Sequence, residues 1–531
     1  MSSQADSSAP SSLPGAQGPV TRRPSVLSSA ALAVLIAVSF GLRLPGLDRP
    51  LSEPHDWITA QSLIALDILD AEGLARHSFA IPQTYPGAAN RHVRNAGIRL
   101  FDAAGVGYYT SFPPLSIVVP HLVFRLLGTL PTLPGLRLLS LVLHGLAAVF
   151  VLALLRAMGR GRAGRETGAL AGAAVFLFLA PNLWYLFSTY SWDTFWHFLW
   201  APWLVVALGL LESDRPSHPG RLALLGGLTF ALVYSEFIGA LCAATLAGLL
   251  IMRGVRRHRW ALGVLAAAVA VPLVLTLVQY SLLAGPGTLW DTLVYAFQER
   301  SFLMASPKSR PQMLELGSAS PLVLIARTCL RWFGPLLALL GTGGALVALA
   351  GHRASSACRR VPSGEWALIV LTAVPILVHH AVLVQWTARH AYSVVKTSFL
   401  LAVLTAMVFR RLLDPGCARR WTAGAAGALL LVVLAHGVRG YRKDFTSAGD
   451  SSRFAHLGAE IARQAGDGEV VFAVSRFTIN PQVVYYARRN IQTVASPAEA
   501  RAWLVEHDRS SGILFEIDRT PRLVSAVEIR R

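Results

Sequence analysis

Long, uncharged apolar runs recur along most of this chain, and they constrain its fold more than any other feature. Candidates about 20 residues long, the length a bilayer-crossing helix needs, lie at 26–44, 136–157, 167–187, 194–211, 260–283, 332–351, 365–384, 393–409 and 421–437. Only 15% of the 531 residues are charged, against 53% hydrophobic; soluble domains carry nearer a quarter charged residues. Disorder, a coiled coil and a secreted disulfide scaffold are excluded. The four cysteines show no metal-ligand spacing and read as free thiols.

One further stretch, Arg221 to Met252, is too long for one crossing and has Glu236 in its middle. A charge at the bilayer centre is costly, whereas one at an interfacial turn is not. The stretch therefore reads as a hairpin turning at Ser235 and Glu236, with Glu236 a turn residue that has no other task.

Lys and Arg outnumber Asp and Glu, 48 to 29, giving a net charge of +19. A basic stripe on a soluble fold would suggest nucleic acid. Here the arginines sit between apolar runs, where they mark cytoplasmic loops, and no nucleic-acid partner is expected. The basic loops are 156–165, 253–259, 353–360 and 410–420, with Arg22 and Arg23 in a disordered cytoplasmic leader, 1–25. The leader and first run read as an uncleaved signal anchor. Keeping all basic loops inside requires Phe112 to Gly128 to be an interfacial or re-entrant helix.

The expectation is an all-α polytopic membrane domain over 26–437, with about 11 transmembrane helices and an interfacial helix. A first extracytoplasmic loop spans 45–111, and a small extracytoplasmic α/β domain follows at 438–531. The tail supports the latter with strand-like EVVFAVS, NIQTV and GILFEI alternating with helical segments. Ser496 and Glu499 form a capping pattern there. No phosphate loop or catalytic triad spacing is present in the tail, which reads as accessory.

The outer face holds few polar clusters. LSEPHDW places Glu53, His55 and Asp56 together, YSWDTFWHF carries Asp193, and WTARHAYSVVK carries Arg389, His390, Tyr392 and Lys396. An outer loop from Ala284 to Ser320 adds Asp291, Glu299, Arg300, Lys308 and Arg310. Carboxylates beside cations suit glycosyl transfer from a lipid phosphate: the carboxylate takes a proton from the acceptor while cations stabilise the leaving phosphate. Helix capping explains Asp56 equally well, an aromatic belt accounts for Asp193, and Lys396 could be snorkelling.

The order of these elements resembles the GT-C glycosyltransferases, nearest the bacterial relatives of protein O-mannosyltransferases and the lipid A aminoarabinose transferases, over roughly residues 26–410. The resemblance rests on His55-Asp56-Trp57 in the first outer loop, on GYYTSFPPLSIVVPHLVFRLLG, and on Asp193 after a later span. It implies a bacterial inner-membrane enzyme, its site facing outward, that moves a sugar from a polyprenyl-phosphate carrier to a lipid, glycan or protein acceptor with inversion. Asp56 then inherits the catalytic role with Glu53 as understudy, Asp193 is the second carboxylate, and Lys396 with Arg389 forms the phosphate clamp. His390, Tyr392 and His55 are further substrate contacts. A divalent metal is compatible with this reading but not required.

Two departures stand out. Ser111-Phe112-Pro113-Pro114 lacks the cation or histidine relatives place before the two prolines, and Glu236 stands where some have a lysine. Competing readings are a transporter or flippase of lipid-linked sugars, a structural subunit, and an inactive homologue. No internal repeat of the kind transporters show is evident.

Overall fold

The computed structural model describes residues 26–52, 55–94, 98, 100–158, 164–213, 218–301, 321–353, 363–413, 420–446, 452–475 and 479–531. The leader, Glu53, Lys308, Arg310, Cys358 and Cys417 lie outside these residues. Among them, eight helices are long and apolar enough to cross a membrane: Val26–Gly46, Leu133–Met158, Trp192–Glu212, Val255–Ala284, Pro321–Val347, Gly364–Val382, Tyr392–Leu412 and Gly424–Lys443. The protein is a multi-pass membrane protein. Shorter apolar helices at Arg165–Phe178, Pro219–Ser235 and Ile238–Met252 complete the bundle.

The expected hairpin is present, with its break at Glu236 between Pro219–Ser235 and Ile238–Met252. Gly239 permits so tight a reversal, because a Cβ there would sit 2.6 Å from the Leu232 carbonyl carbon and the Val233 nitrogen. Another close approach seats the helix Thr397–Leu412. Gly168 and Gly172, one turn apart, face it so closely that added Cβ atoms would meet the carbonyl oxygens of Ala406 and Ala402 at 2.7 and 2.6 Å. Small residues four apart allow such backbone contact between membrane helices, where the gain is van der Waals packing rather than exclusion of water.

The segment after the two prolines forms a helix of 12 residues, Leu115–Leu126. At 1.5 Å per residue it is about 18 Å long, well short of a crossing. The helix Trp57–Glu72 is largely buried, over Ile58–Leu66 and at Ile68 and Leu69.

The tail forms a four-stranded sheet in the order Ile491–Thr493, Val470–Ser475, Ser511–Ile517, Leu523–Arg530. The first three strands are parallel and the last is antiparallel. The edge strand Leu523–Arg530, LVSAVEIR, lies outside the strand-like runs read from the sequence, and most of its residues are exposed or half-buried. Helices Pro481–Ala487 and Pro497–Glu506 match the helical segments, and Ser496 accepts a hydrogen bond from the Glu499 N–H at 3.3 Å.

This tail does not hang free. Tyr486 accepts from the Leu51 N–H at 2.8 Å, Asn490 accepts from the Tyr85 N–H at 2.9 Å and donates to the Gln83 carbonyl, and Arg488 pairs with Asp67. The first loop and the tail are packed together.

Candidate active site

Three distant segments build a buried charge cluster. Ser191 caps the helix Trp192–Glu212, its hydroxyl accepting from the Asp193 N–H, so Asp193 stands in the first turn. A carboxylate there is favoured by the helix dipole. Lys396 ends the short 3-10 turn Ala391–Lys396 that leads into Thr397–Leu412. Its ammonium lies 2.6 Å from Asp193 Oδ1 and 2.9 Å from Glu236 Oε1. His379 Nε2 approaches the same Glu236 oxygen at 3.5 Å. All four side chains are buried.

The second carboxylate oxygens, Asp193 Oδ2 and Glu236 Oε2, have no hydrogen-bond partner among the described residues, nor does His379 Nδ1. Unpaired buried acceptors of this kind are expensive. Glu236 and His379 open onto a cavity of about 380 Å³, walled by apolar side chains and also lined by Ser111, Phe112, Arg300 and Trp386. Arg300 donates to Ser111 Oγ at 2.6 Å and stacks over Trp386 at 4.4 Å. The cation absent ahead of Pro113-Pro114 in the sequence is thus brought there from the end of the helix Pro286–Arg300.

An aromatic cluster packs against two of the cavity's lining residues, Phe112 and Trp386. His55 lies 5.2 Å from Tyr392 and 6.0 Å from His390, centroid to centroid, and its Nδ1 is 3.0 Å from the Tyr185 hydroxyl. Tyr392 in turn neighbours Trp192 and Trp386, and Phe112 stacks on Trp192 at 3.5 Å. His55 holds a left-handed backbone, φ +67°. Burial lowers the His55 imidazole to about 4 and that of His390 to about 3, the latter helped by neighbouring His55, Arg300 and Arg389. Both rings are neutral at physiological pH. Arg389 closes the helix Val384–Arg389, its Nε buried and without a hydrogen-bond partner among the described residues.

Asp56 sits elsewhere. Its side chain is fully buried, and Oδ2 accepts from Arg49 and from the Ser52 N–H, both at 2.9 Å, with Arg137 Nη2 at 3.7 Å. Ser188 and Thr189 hydroxyls donate to Oδ1, each at 3.4 Å. Arg137 also donates to the carbonyls of Gly46, Leu47 and Arg49. This cage ties the first loop to the turn before Asp193.

Of the residues singled out in the sequence, the structure therefore unites Asp193 with Lys396, and His55 with His390 and Tyr392. The ammonium of Lys396, expected to meet a donor phosphate, lies between the carboxylates of Asp193 and Glu236 in this structure. Glu236 does occupy a hairpin turn, but it also shares that ammonium and faces the cavity. His379 and Arg300 were missed as site residues; the only signals were a histidine pair ending an apolar run and one arginine among several outer-loop charges. Among the described residues no group of three or more His, Cys, Asp or Glu is placed to hold a metal ion.

No protein-family model and no curated protein matches the sequence. Solved structures do match in fold. The archaeal oligosaccharyltransferase AglB from Archaeoglobus fulgidus, in complex with an inhibitory peptide and a dolichol-phosphate, aligns over 92% of this chain and 69% of its own, at 12% identity and TM-score 0.56. ArnT from Cupriavidus metallidurans bound to undecaprenyl phosphate aligns over 93% and 92%, at 12% identity and TM-score 0.44. The arabinofuranosyltransferase AftD from Mycobacteria covers 92% of this chain and 37% of its own, at 16% identity and TM-score 0.46. With its polytopic helical bundle and small C-terminal sheet, the chain has the GT-C fold.

Proposed function

We propose that the chain is an integral membrane glycosyltransferase that takes a sugar from a polyprenyl-phosphate carrier and passes it to an acceptor at the outer face of the membrane. The observation carrying this reading is the cavity, apolar in its walls, with Glu236 and His379 at one place and Arg300 with Ser111 at another. That combination suits an amphiphile bearing a phosphate and a polar sugar. AglB, whose fold this chain shares, was solved with dolichol-phosphate.

In this reading Arg300, with Arg389 beside it, holds the donor phosphate. Glu236 Oε2, which accepts from no donor among the described residues, takes the proton from the acceptor hydroxyl or amine. The acceptor atom attacks the anomeric carbon as the bond from that carbon to the phosphate oxygen breaks. The electron pair leaves with the phosphate, where the guanidinium charge stabilises it. A single displacement inverts the anomeric centre. Lys396 and Asp193 keep Glu236 in place, and His55, His390 and Tyr392 line the approach. Asp56 positions the first loop through Arg49 and Arg137.

The test is reconstitution of the purified full chain in proteoliposomes with a panel of polyprenyl-phosphate sugars, reading carrier phosphate release by mass spectrometry. Turnover that is lost in Glu236→Gln but kept in Asp56→Asn supports the assignment. Loss in Asp56→Asn with activity retained in Glu236→Gln returns the base role to the first loop. Carrier movement across the bilayer without glycosidic bond change makes the protein a flippase.

A further inference from the structure

The helix Arg420–Gly440 and the π-helical turn Tyr441–Thr446 after it present a stripe that changes character along its length. Positions 431, 435, 438 and 442 are spaced at four, three and four residues, which places them on one face of a helix. Leu431 is 67% exposed and its neighbour Val432 55%. Higher up, Ala435 and Val438 border an open hollow of about 610 Å³ whose remaining walls are Arg439, Arg442 and Lys443. Lys443 is one of only three lysines in a chain whose ordinary cation is arginine.

The same corner is cationic in depth. Arg43 is fully buried and bonds to Ser39 and His144, with no carboxylate paired to it among the described residues. Arg49 and Arg137 share the single carboxylate of Asp56. Tyr441, buried between Arg439 and Arg442 in the chain, interacts electrostatically with Arg43, Arg49 and Arg137.

We infer that this hollow binds the head group of an anionic glycerophospholipid, its phosphate held by Arg439, Arg442 and Lys443 and its acyl chains lying along Val438, Ala435 and Leu431. Apolar contact on the membrane side and three cations at the end of the span match the two parts of such a lipid, and basic groups at the interface attract anionic head groups. The site is separate from the Glu236 cavity and does not depend on the proposed transfer.

The experiment uses the full chain in detergent micelles doped with equal amounts of phosphatidylglycerol and phosphatidylcholine, with bound lipid read by native mass spectrometry. Wild type should retain phosphatidylglycerol selectively. Neutralising all three cations, Arg439→Gln, Arg442→Gln and Lys443→Gln, should weaken retention about a hundredfold, near fivefold for each charge. Because the triple variant could fail to fold, the exposed Lys443→Gln is measured alone, where a fivefold loss with unchanged melting is expected. Inorganic phosphate at millimolar concentration should not displace the lipid, while Arg300→Gln should retain it. Equal retention of both lipids, displacement by free phosphate, or undiminished binding in Lys443→Gln and the triple variant overturns the proposal.

Discussion

Lys396→Met is the most informative single change in this protein. Methionine keeps most of the side-chain volume but removes the ammonium that lies 2.6 Å from Asp193 and 2.9 Å from Glu236. Two carboxylates would then face one another in an enclosed, largely apolar setting. Removing one partner of a buried ion pair costs about 3–5 kcal/mol, because the partner left behind keeps its desolvation penalty without its compensation. At roughly 2 °C per kcal/mol for a large chain, melting in detergent should fall by about 6–10 °C.

The same reasoning predicts a rescue. Adding Asp193→Asn and Glu236→Gln to Lys396→Met removes both orphaned charges and should restore most of the lost melting temperature. Transfer activity should stay absent, since the proton-accepting carboxylate is gone. The assay is intrinsic-fluorescence melting of the three proteins in the same detergent. Unchanged melting in Lys396→Met, or a triple variant no more stable than the single, would refute the buried charge triad.

Other expectations follow from the same geometry. Arg300→Gln should raise the KM for a polyprenyl-phosphate donor about tenfold or more with a smaller change in kcat, in steady-state assays, as one charged contact to phosphate is lost. Since His55 and His390 titrate near 4 and 3 in the fold and near 6.5 when unfolded, the unfolded chain binds more protons below pH 6.5. Stability contributed by these sites is therefore present above pH 6.5 and is lost as pH falls through 4; melting curves of His55→Gln with His390→Gln should be less acid-sensitive than wild type. Gly172→Leu, which drives a side chain into the Ala402 carbonyl, should lower the yield of folded protein on size exclusion. Tyr486→Phe removes the acceptor for the Leu51 N–H and should speed hydrogen exchange in the peptide around residues 49–60.

That last contact also revises the part assigned to the tail. Composition marked it as a separate α/β unit with no chemistry of its own, which made it look accessory. Tyr486 and Gln482 nevertheless bind the backbone of Leu51 and Ser52, and the Ser52 N–H bonds to Asp56. The tail thereby holds the first loop in register, a role that composition and periodicity do not report.

The run 167–187 is broken at Leu179 into two helices, but most of the membrane helices, the break at Ser235-Glu236, the short helix after the two prolines and three of the four strands of the tail were legible in the residues themselves. Each depends on a local quantity: the length of an apolar run, the cost of a charge within it, or a two-residue alternation. The site was not legible in this way. Arg300 meets Ser111 across 189 residues of chain, Tyr486 meets Leu51 across 435, and Lys396 meets both Asp193 in a helix's first turn and Glu236 at a hairpin break. A side chain's partner depends on how helices pack, and close packing is decided by small residues such as Gly168, Gly172 and Gly239, whose significance appears only when the opposing backbone is in place.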